Sequence, residues 1–277
     1  MIITDLDGTV ILRNGVAMPY FGLGVFKTNE GSQVENSVKW ALEAGYRHID
    51  TAAIYKNERG VGNAIKSSGI PRNEVFITTK AWNDNQRHGT VMRGFEESLK
   101  LLRTDYVDLY LIHWPVKEKF VGTWKVMEEI YLSGKARAIG VSNFLQHHLE
   151  EVIKVAEIMP MVNQVECHPY LVQQSLIDFC QGQSIVYEAW SPIMRGAVNE
   201  IPLFIELSEK YKKSPVQLVL RWDLQKGIVT IPKSVHKDRI VHNADIFDFE
   251  LMADDISRID ALDRNVRFGS HPDTFTF

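Results

Sequence analysis

Cysteine is scarce in the 277-residue sequence: only Cys167 and Cys180 occur, too few for a disulfide framework. A reducing, cytoplasmic setting is the resulting expectation. No run of about 20 apolar residues is present, so no membrane span is expected. The opening stretch from Met1 to Val10 holds Asp5 and Asp7 where a signal peptide needs an apolar run behind basic residues. Net charge is low, formally -4, and is spread out, without the basic face that nucleic acid requires. Lys117-Glu118-Lys119, the nearest thing to a charge run, is mixed in sign and reads as a solvated loop. Linkers rich in Pro, Gly or Ser are missing, so residues 1–277 read as one domain. The dinucleotide fingerprint Gly-x-Gly-x-x-Gly is missing too. Gly22-Leu23-Gly24 is followed by Lys27 where the third glycine belongs, which weighs against the alternative fold, a doubly wound open sheet.

What is present is a repeated unit. A hydrophobic content of 45% against 24% charged residues fits a globular chain with a full core. An Asn14-Gly15 pair between Val10–Arg13 and Val16–Met18 predicts a hairpin with a type I′ turn, placed to plug one end of a barrel. Short apolar strands then follow at 22–26, 46–50, 75–80, 107–113, 136–142, 161–166, 185–190 and 228–232. Amphipathic helical patterns lie between them, including 32–43, 90–102, 120–133 and 145–157. The C-terminal third adds helices at 202–211, 215–225 (Ser214 as cap, Pro215 in first place) and 253–262. Eight strands alternating with helices predict an α/β (β/α)₈ TIM barrel with an N-terminal hairpin and extra C-terminal helices.

In such a barrel the strand C-termini share one face, and active sites are built there. The residues at those ends are Asp50, Lys80, His113, Ser142 with Asn143, Gln164, Trp190, and Lys233 with Ser234. Each has an ordinary alternative: Ser142 or Asn143 as a helix cap, Asp50-Thr51 as a loop cap, His113 as a structural histidine. Lys80 resists that treatment, because a lysine ending a strand buried on both faces needs a partner, and Asp50 and Tyr55 are the candidates. A tyrosine is a poor acid at neutral pH unless its phenolate is stabilised. A lysine beside it, kept charged by a carboxylate, does that, and a histidine orients the same carbonyl oxygen. The set suits proton donation to a carbonyl that is receiving hydride.

Other chemistries fit less well. His147 and His148 are helix neighbours expected to point about 100° apart, and Glu166-Cys167-His168 lacks a second cluster at zinc spacing, so no metal is expected. Asp5-Leu6-Asp7-Gly8-Thr9-Val10 resembles the first motif of haloacid-dehalogenase-type phosphohydrolases, but only Ile2-Ile3 precedes it where an apolar strand is needed. Asp254-Asp255 could pose as its magnesium pair, yet acids suit the first turn of the 253–262 helix. A second rival is a barrel that binds its nucleotide only as a sensor or subunit.

The ordered motifs resemble those of the aldo-keto reductases over nearly the whole chain, from Asn14-Gly15 to Asp263. They include Gly45-Tyr46-Arg47-His48-Ile49-Asp50-Thr51-Ala52 with Tyr55, Thr78-Thr79-Lys80-Ala81-Trp82, and Leu111-Ile112-His113-Trp114-Pro115. Ile139-Gly140-Val141-Ser142-Asn143-Phe144, Asn163-Gln164-Val165-Glu166 and Ile231-Pro232-Lys233-Ser234 complete the series. The resemblance implies a catalytic tetrad of Asp50, Tyr55, Lys80 and His113 and NADPH as cofactor. It implies that Ser142, Asn143 and Gln164 hold the nicotinamide carboxamide, with Trp190 stacked on the ring and Ser191 beside it. Lys233, Ser234 and Arg239 match the clamp on the adenosine 2′-phosphate and Asn243 the adenine contact; guanidinium and ammonium groups suit a phosphate. Met194-Arg195 departs from the more usual Gly-Gln in the loop over the pyrophosphate. Phe26, Trp82 and Trp114 are the candidate substrate rim. The short segments after His113 and Trp190, and a tail with few apolar residues, predict an open mouth suited to small electrophilic carbonyls. A monomer acting on a small molecule is expected.

Overall fold

The computed structural model describes residues 3–277; Met1 and Ile2, and with them part of the reading of the N-terminal stretch, lie outside the described residues. Strands β1 (Thr9–Ile11) and β2 (Ala17–Pro19) form the expected hairpin, with Val10 opposite Met18. Its loop is Arg13-Asn14-Gly15, since Leu12 N–H donates to Val16 O (2.8 Å) and Gly15 N–H to Leu12 O (2.8 Å). Gly15 alone takes a positive φ, 88°. The loop is a three-residue turn ending in a glycine bulge, not the expected two-residue type I′ turn. Asn14 is engaged elsewhere: its amide donates to Arg137 O (2.8 Å) and its side-chain oxygen accepts from Val16 N (3.2 Å).

Eight parallel strands follow: β3 (Leu23–Gly24), β4 (His48–Asp50), β5 (Phe76–Ala81), β6 (Val107–Ile112), β7 (Ala136–Ser142), β8 (Val162–Glu166), β9 (Val186–Trp190) and β10 (Val229–Thr230). They hydrogen-bond in sequence order. Phe21 bridges Thr230 and Gly24 bridges Lys233, so the first and last strands meet. The sheet is a (β/α)₈ barrel, as expected, and not the open sheet. Gly140 lets β7 and β8 approach, because a Cβ there would lie 2.4 Å from Val162 O. That approach sets Ser142 beside Gln164 in register.

Helices α1 (Ser32–Glu43), α2 (Glu58–Ser67), α3 (Asn83–Arg87), α4 (Val91–Leu102), α5 (Phe120–Leu132) and α6 (Gln146–Ile153) pack outside the strands. They are followed by α7 (Gln174–Gly182), α8 (Pro202–Tyr211), α9 (Pro215–Gln225), α10 (Lys237–Asn243) and α11 (Ala253–Asp260). Four of these, α2, α3, α7 and α10, go beyond the helices read from the sequence. In α2 the glycines weaken the helical signal, yet Gly62 is required, since a Cβ there would lie 2.4 Å from Leu102 O on α4. Ser214 caps α9 as expected, accepting from Gln217 N (3.3 Å).

The barrel is fastened at the strand N-termini by a buried acid. Asp108 on β6 accepts from Arg72 Nη2 (2.8 Å), Arg137 Nη1 (2.7 Å) and Ile77 N (2.9 Å), joining β5, β6 and β7. Phosphohydrolase chemistry has no support at the other candidate acids. Asp5 lies exposed at a bend that no described strand precedes, and Asp255 sits in the first turn of α11, accepting from Lys210 and Tyr211.

Candidate active site

Alternate residues of a strand face the same side, so His48 and Asp50 of β4, Thr78 and Lys80 of β5, Gln164 of β8 and Glu188 of β9 line one lumen. Lys80 is fully buried and donates to both oxygens of Asp50 (2.7 Å each) and to Thr51 O (2.9 Å). An uncompensated charge at this depth would cost roughly 3–5 kcal/mol, which is why the pair occurs together. Gln164 Nε2 donates to Asp50 Oδ2 (2.8 Å) and to Glu188 Oε2 (3.0 Å). Burial drives Asp50 upward against the pull of Lys80 and Gln164. Burial would lower Lys80, but Asp50 and its other acidic neighbours hold it above its ordinary value and so charged.

Tyr55 ends a single helical turn, Ala53–Tyr55, that follows β4. Its ring is partly exposed at the mouth, while its hydroxyl end is deep enough for burial to push the phenol up to about 12, with Lys80 pulling the other way. Lys80 Nζ lies 5.3 Å from the ring centroid. Asn57 fixes this loop: its side-chain oxygen accepts from Thr51 Oγ1 (2.8 Å), and its amide donates to Val25 O (2.9 Å) and Thr28 O (3.0 Å). The His113 ring meets Tyr55 edge to face at 5.7 Å and Trp82 at 5.2 Å. Burial and the Lys80 charge hold His113 well below the ordinary histidine range, so it is a neutral imidazole at pH 7. The four residues implied as a tetrad are thus brought together.

Ser142 and Asn143 do not cap the next helix. Ser142 Oγ donates to Gln164 O (2.8 Å), and Asn143 donates to His113 O (2.9 Å) and accepts from Trp190 Nε1 (2.9 Å). Asn143 (φ 64°) and Ser191 (φ 58°) sit in the left-handed region. The sequence alternatives of capping are therefore replaced by a chain linking β6, β7, β8 and β9 beside the tetrad. Farther along the mouth, Lys233 is half-buried and Arg239 exposed on α10, with Ser234 and Asn243 buried nearby. Lys237 is drawn to Glu43 (3.7 Å), whereas Lys233 and Arg239 have no acidic partner among the described residues. Two cations left free beside buried polar groups fit a phosphate-bearing ligand.

The mouth itself differs from the open one expected. Phe26 is 50% exposed and meets the Tyr55 ring at a tilt, 5.0 Å away, but Trp114 is only 7% exposed, covered by Phe275 and Phe277. The tail is short yet anchored at several points. Glu166 accepts from Phe268 N (2.6 Å), Gly269 N (3.1 Å) and His168 Nε2 (3.0 Å). Arg195 donates to Phe268 O (2.8 Å), while Met194 packs in the core. Asn83 and Arg87 donate to Phe277 O.

His147 and His148 converge rather than diverge: both Nε2 atoms lie against Asp273 Oδ1, at 2.9 and 3.2 Å. Three ligand atoms within 4.8 Å of one another resemble a metal site. However, His148 Nδ1 accepts from Leu145 N (3.2 Å), which leaves the proton on Nε2, where a metal would need a lone pair. The group is a hydrogen-bonded clasp for the tail.

The residues missed from sequence are those that support others. Glu188 and His48 are polar positions inside apolar strands, Asn57 follows the tyrosine loop, and Glu166 and Asp273 hold the tail. A charged residue inside 185–190 was the available signal for Glu188. Burial pushes Glu188 up to about 8, with Asp50 adding to it.

The Aldo/keto reductase family matches residues 20–264. "Glyoxal reductase" of Bacillus subtilis is 57% identical over 274 residues, 99% of each chain. "9,11-endoperoxide prostaglandin H2 reductase" of Trypanosoma cruzi is 51% identical over 269 residues, 96% of this chain and 95% of its own. A mutant of Gox0644 in complex with NADPH superposes with a TM-score of 0.91 at 41% identity, covering 98% of this chain and 99% of that one.

Proposed function

The chain belongs to the aldo/keto reductase family, and from that premise we propose that it reduces small aldehydes, ketones and especially dicarbonyls with NADPH, Tyr55 giving the proton. The observation that carries this reading is the buried Lys80–Asp50 pair at 2.7 Å beneath the Tyr55 ring. Bound NADPH would supply the hydride. Ser142, Asn143 and Gln164 would hold its carboxamide, the Trp190 face and Ser191 its ring and adjoining chain, and Asn243 the adenine. Lys233, Ser234 and Arg239 would hold the 2′-phosphate, which a bare ribose lacks.

On the protein side, the Lys80 charge favours the Tyr55 phenolate and so makes the phenol a better acid than burial alone allows. Asp50 keeps Lys80 charged. His113, neutral, donates one hydrogen bond to the carbonyl oxygen and so orients it toward the Tyr55 hydroxyl. The aromatic walls of Phe26, Trp82 and Trp114, with the tail laid over them, exclude water and leave room for a small substrate. The glyoxal-reducing Bacillus relative supports the dicarbonyl class. Both cysteines are unpaired and buried, which fits a reducing cytosol, and no described helix is long and apolar enough to cross a membrane.

The test is a carbonyl panel with NADPH consumption followed at fixed concentration: glyoxal, methylglyoxal, phenylglyoxal, aromatic aldehydes, keto-sugars, a prostaglandin endoperoxide and a ketosteroid. Dicarbonyls and activated aldehydes should be reduced best. Binding of NADPH without turnover on any of them would favour the sensor reading instead.

A further inference from the structure

The lumen beneath the tetrad holds more acid than its one cation balances. Lys80 is a single buried ammonium, while Asp50 and Glu188 are two buried carboxyl groups bridged by the two amide hydrogens of Gln164. His48, beside them, cannot supply a second positive charge: burial, with the Lys80 field, lowers it to about 3. With both acids ionised the lumen would carry a net negative charge out of reach of water, so one of them keeps a proton.

The contacts decide which. Asp50 receives both short bonds from Lys80, at 2.7 Å each. Glu188 receives none from it. Its Oε2 takes the Gln164 amide, and its Oε1 has no hydrogen-bond partner among the described residues, the His48 Nε2 atom lying 3.8 Å away and itself paired with Thr78 Oγ1 at 3.0 Å. The ionisable groups facing Glu188 are His48 and Asp50 of β4, Lys80 of β5 and Tyr55 at the mouth. Gln164 of β8 is neutral, and β10 offers only Val229 and Thr230.

We propose that Glu188 is a positioning residue for the reduction, which works only while Glu188 is an uncharged carboxylic acid. In that state it anchors Gln164, which in turn holds Asp50 against Lys80. On ionising, it places a second anion near Lys80 and Tyr55. The phenol then binds its proton more tightly and donates it less readily, and Gln164 is pulled between two carboxylates. The sequence has a matching oddity: Glu188 is the one acidic residue in the otherwise uncharged run from Ser184 to Met194.

The proposal rests on the carbonyl-reductase reading, and its test is arranged so the two fail separately. The pH dependence of kcat/KM for the best carbonyl substrate is measured in the wild type and in Glu188→Gln, which keeps the acceptor oxygen for Gln164 but cannot ionise. The alkaline limb should move up by about one pH unit or more in the variant. The same limb at the same pH in both proteins would overturn the proposal. A second measurement needs no activity. Infrared spectroscopy of the wild type should show a protonated-carboxyl stretch that titrates away on the alkaline side of neutrality, and that Glu188→Gln removes. Absence of that band from the wild type at pH 6.5 would overturn the proposal even if the variant folds poorly. If the wild type reduces no carbonyl at all, the functional reading falls first and the positioning role with it, whatever the infrared result.

Discussion

The Phe277 ring stacks on the Trp82 indole, 5.8 Å away with the two planes 3° from parallel. The Trp82 indole also meets the His113 ring edge to face, so this stack makes Phe277 a wall of the proposed substrate site. Such an aromatic pair contributes about 0.5–1.5 kcal/mol beyond its buried area. Phe277→Ala should raise KM for phenylglyoxal several-fold, roughly what loss of that energy permits, and should improve turnover of bulkier ketones. Steady-state kinetics on both substrate sizes is the check, and unchanged kinetics on both would remove Phe277 from the site.

Tyr55→Phe deletes the proposed proton donor and no contact expected for the nucleotide. Turnover should fall by at least about a hundredfold, the usual general-acid contribution. Fluorescence titration should show NADPH affinity close to that of the wild type. Near-normal turnover would refute the assignment.

Arg239 has no acidic partner among the described residues, so none of them competes for its guanidinium. Arg239→Ala should weaken NADPH by roughly tenfold to a hundredfold, the loss of one charge-assisted bond. NADH, without the phosphate, should be almost unaffected. Equal weakening of the two cofactors would contradict the clamp.

Glu188 also makes a prediction for stability. Its folded-state pKa is raised by burial to about 8 from an ordinary 4.5. The acid therefore binds its proton more tightly folded than unfolded, and that contribution is complete below about pH 4.5 and lost as the pH climbs through 8. Glu188→Gln carries no such penalty. In urea unfolding, the stability of the variant relative to wild type should increase between pH 5 and pH 9 and level off above that. A difference independent of pH would mean that Glu188 is ionised throughout.

At the opposite end of the barrel, Asp108→Ala would strand two guanidinium groups. Losing one partner of a buried pair costs roughly 3–5 kcal/mol. Arg72 and Arg137 keep 23% and 43% of their side chains exposed and can turn to water, so the low end of that range applies. Denaturant melts should show the loss with activity retained in the folded fraction.

Much of this architecture was legible because it repeats. Apart from Asp108 near its start, the strand 107–113 is apolar on both faces, and a polar residue at the C-terminal end of such a strand stands out against it. Asp50, Lys80 and His113 were readable in that way, and Tyr55, in the loop past Asp50, only as a partner for Lys80 and through the resemblance to the family. The supporting residues were not, because their signal is tertiary: Asn57 reaches Val25 and Thr28, and Glu166 meets the tail only after the chain has circled the barrel. The hairpin turn was misread for a related reason, since Arg137, far along the chain, claims the Asn14 amide that a local rule assigned to the turn. The tail looked too polar to cover anything. Its two phenylalanines suffice because Glu166 and Asp273 pin the backbone between them, which apolar content alone does not reveal.

The seam at which Phe21 meets Thr230 and Gly24 meets Lys233 joins segments more than two hundred residues apart. During synthesis, β3 therefore waits with an unpaired edge until nearly the whole chain has emerged. Closure is a late, non-local event with a large loop entropy against it. Until then both open edges are templates for pairing with other chains. Truncations that remove β10 should accordingly give aggregates rather than a smaller enzyme, and folding yield should depend on dilution or chaperones more than on the equilibrium stability of the finished barrel.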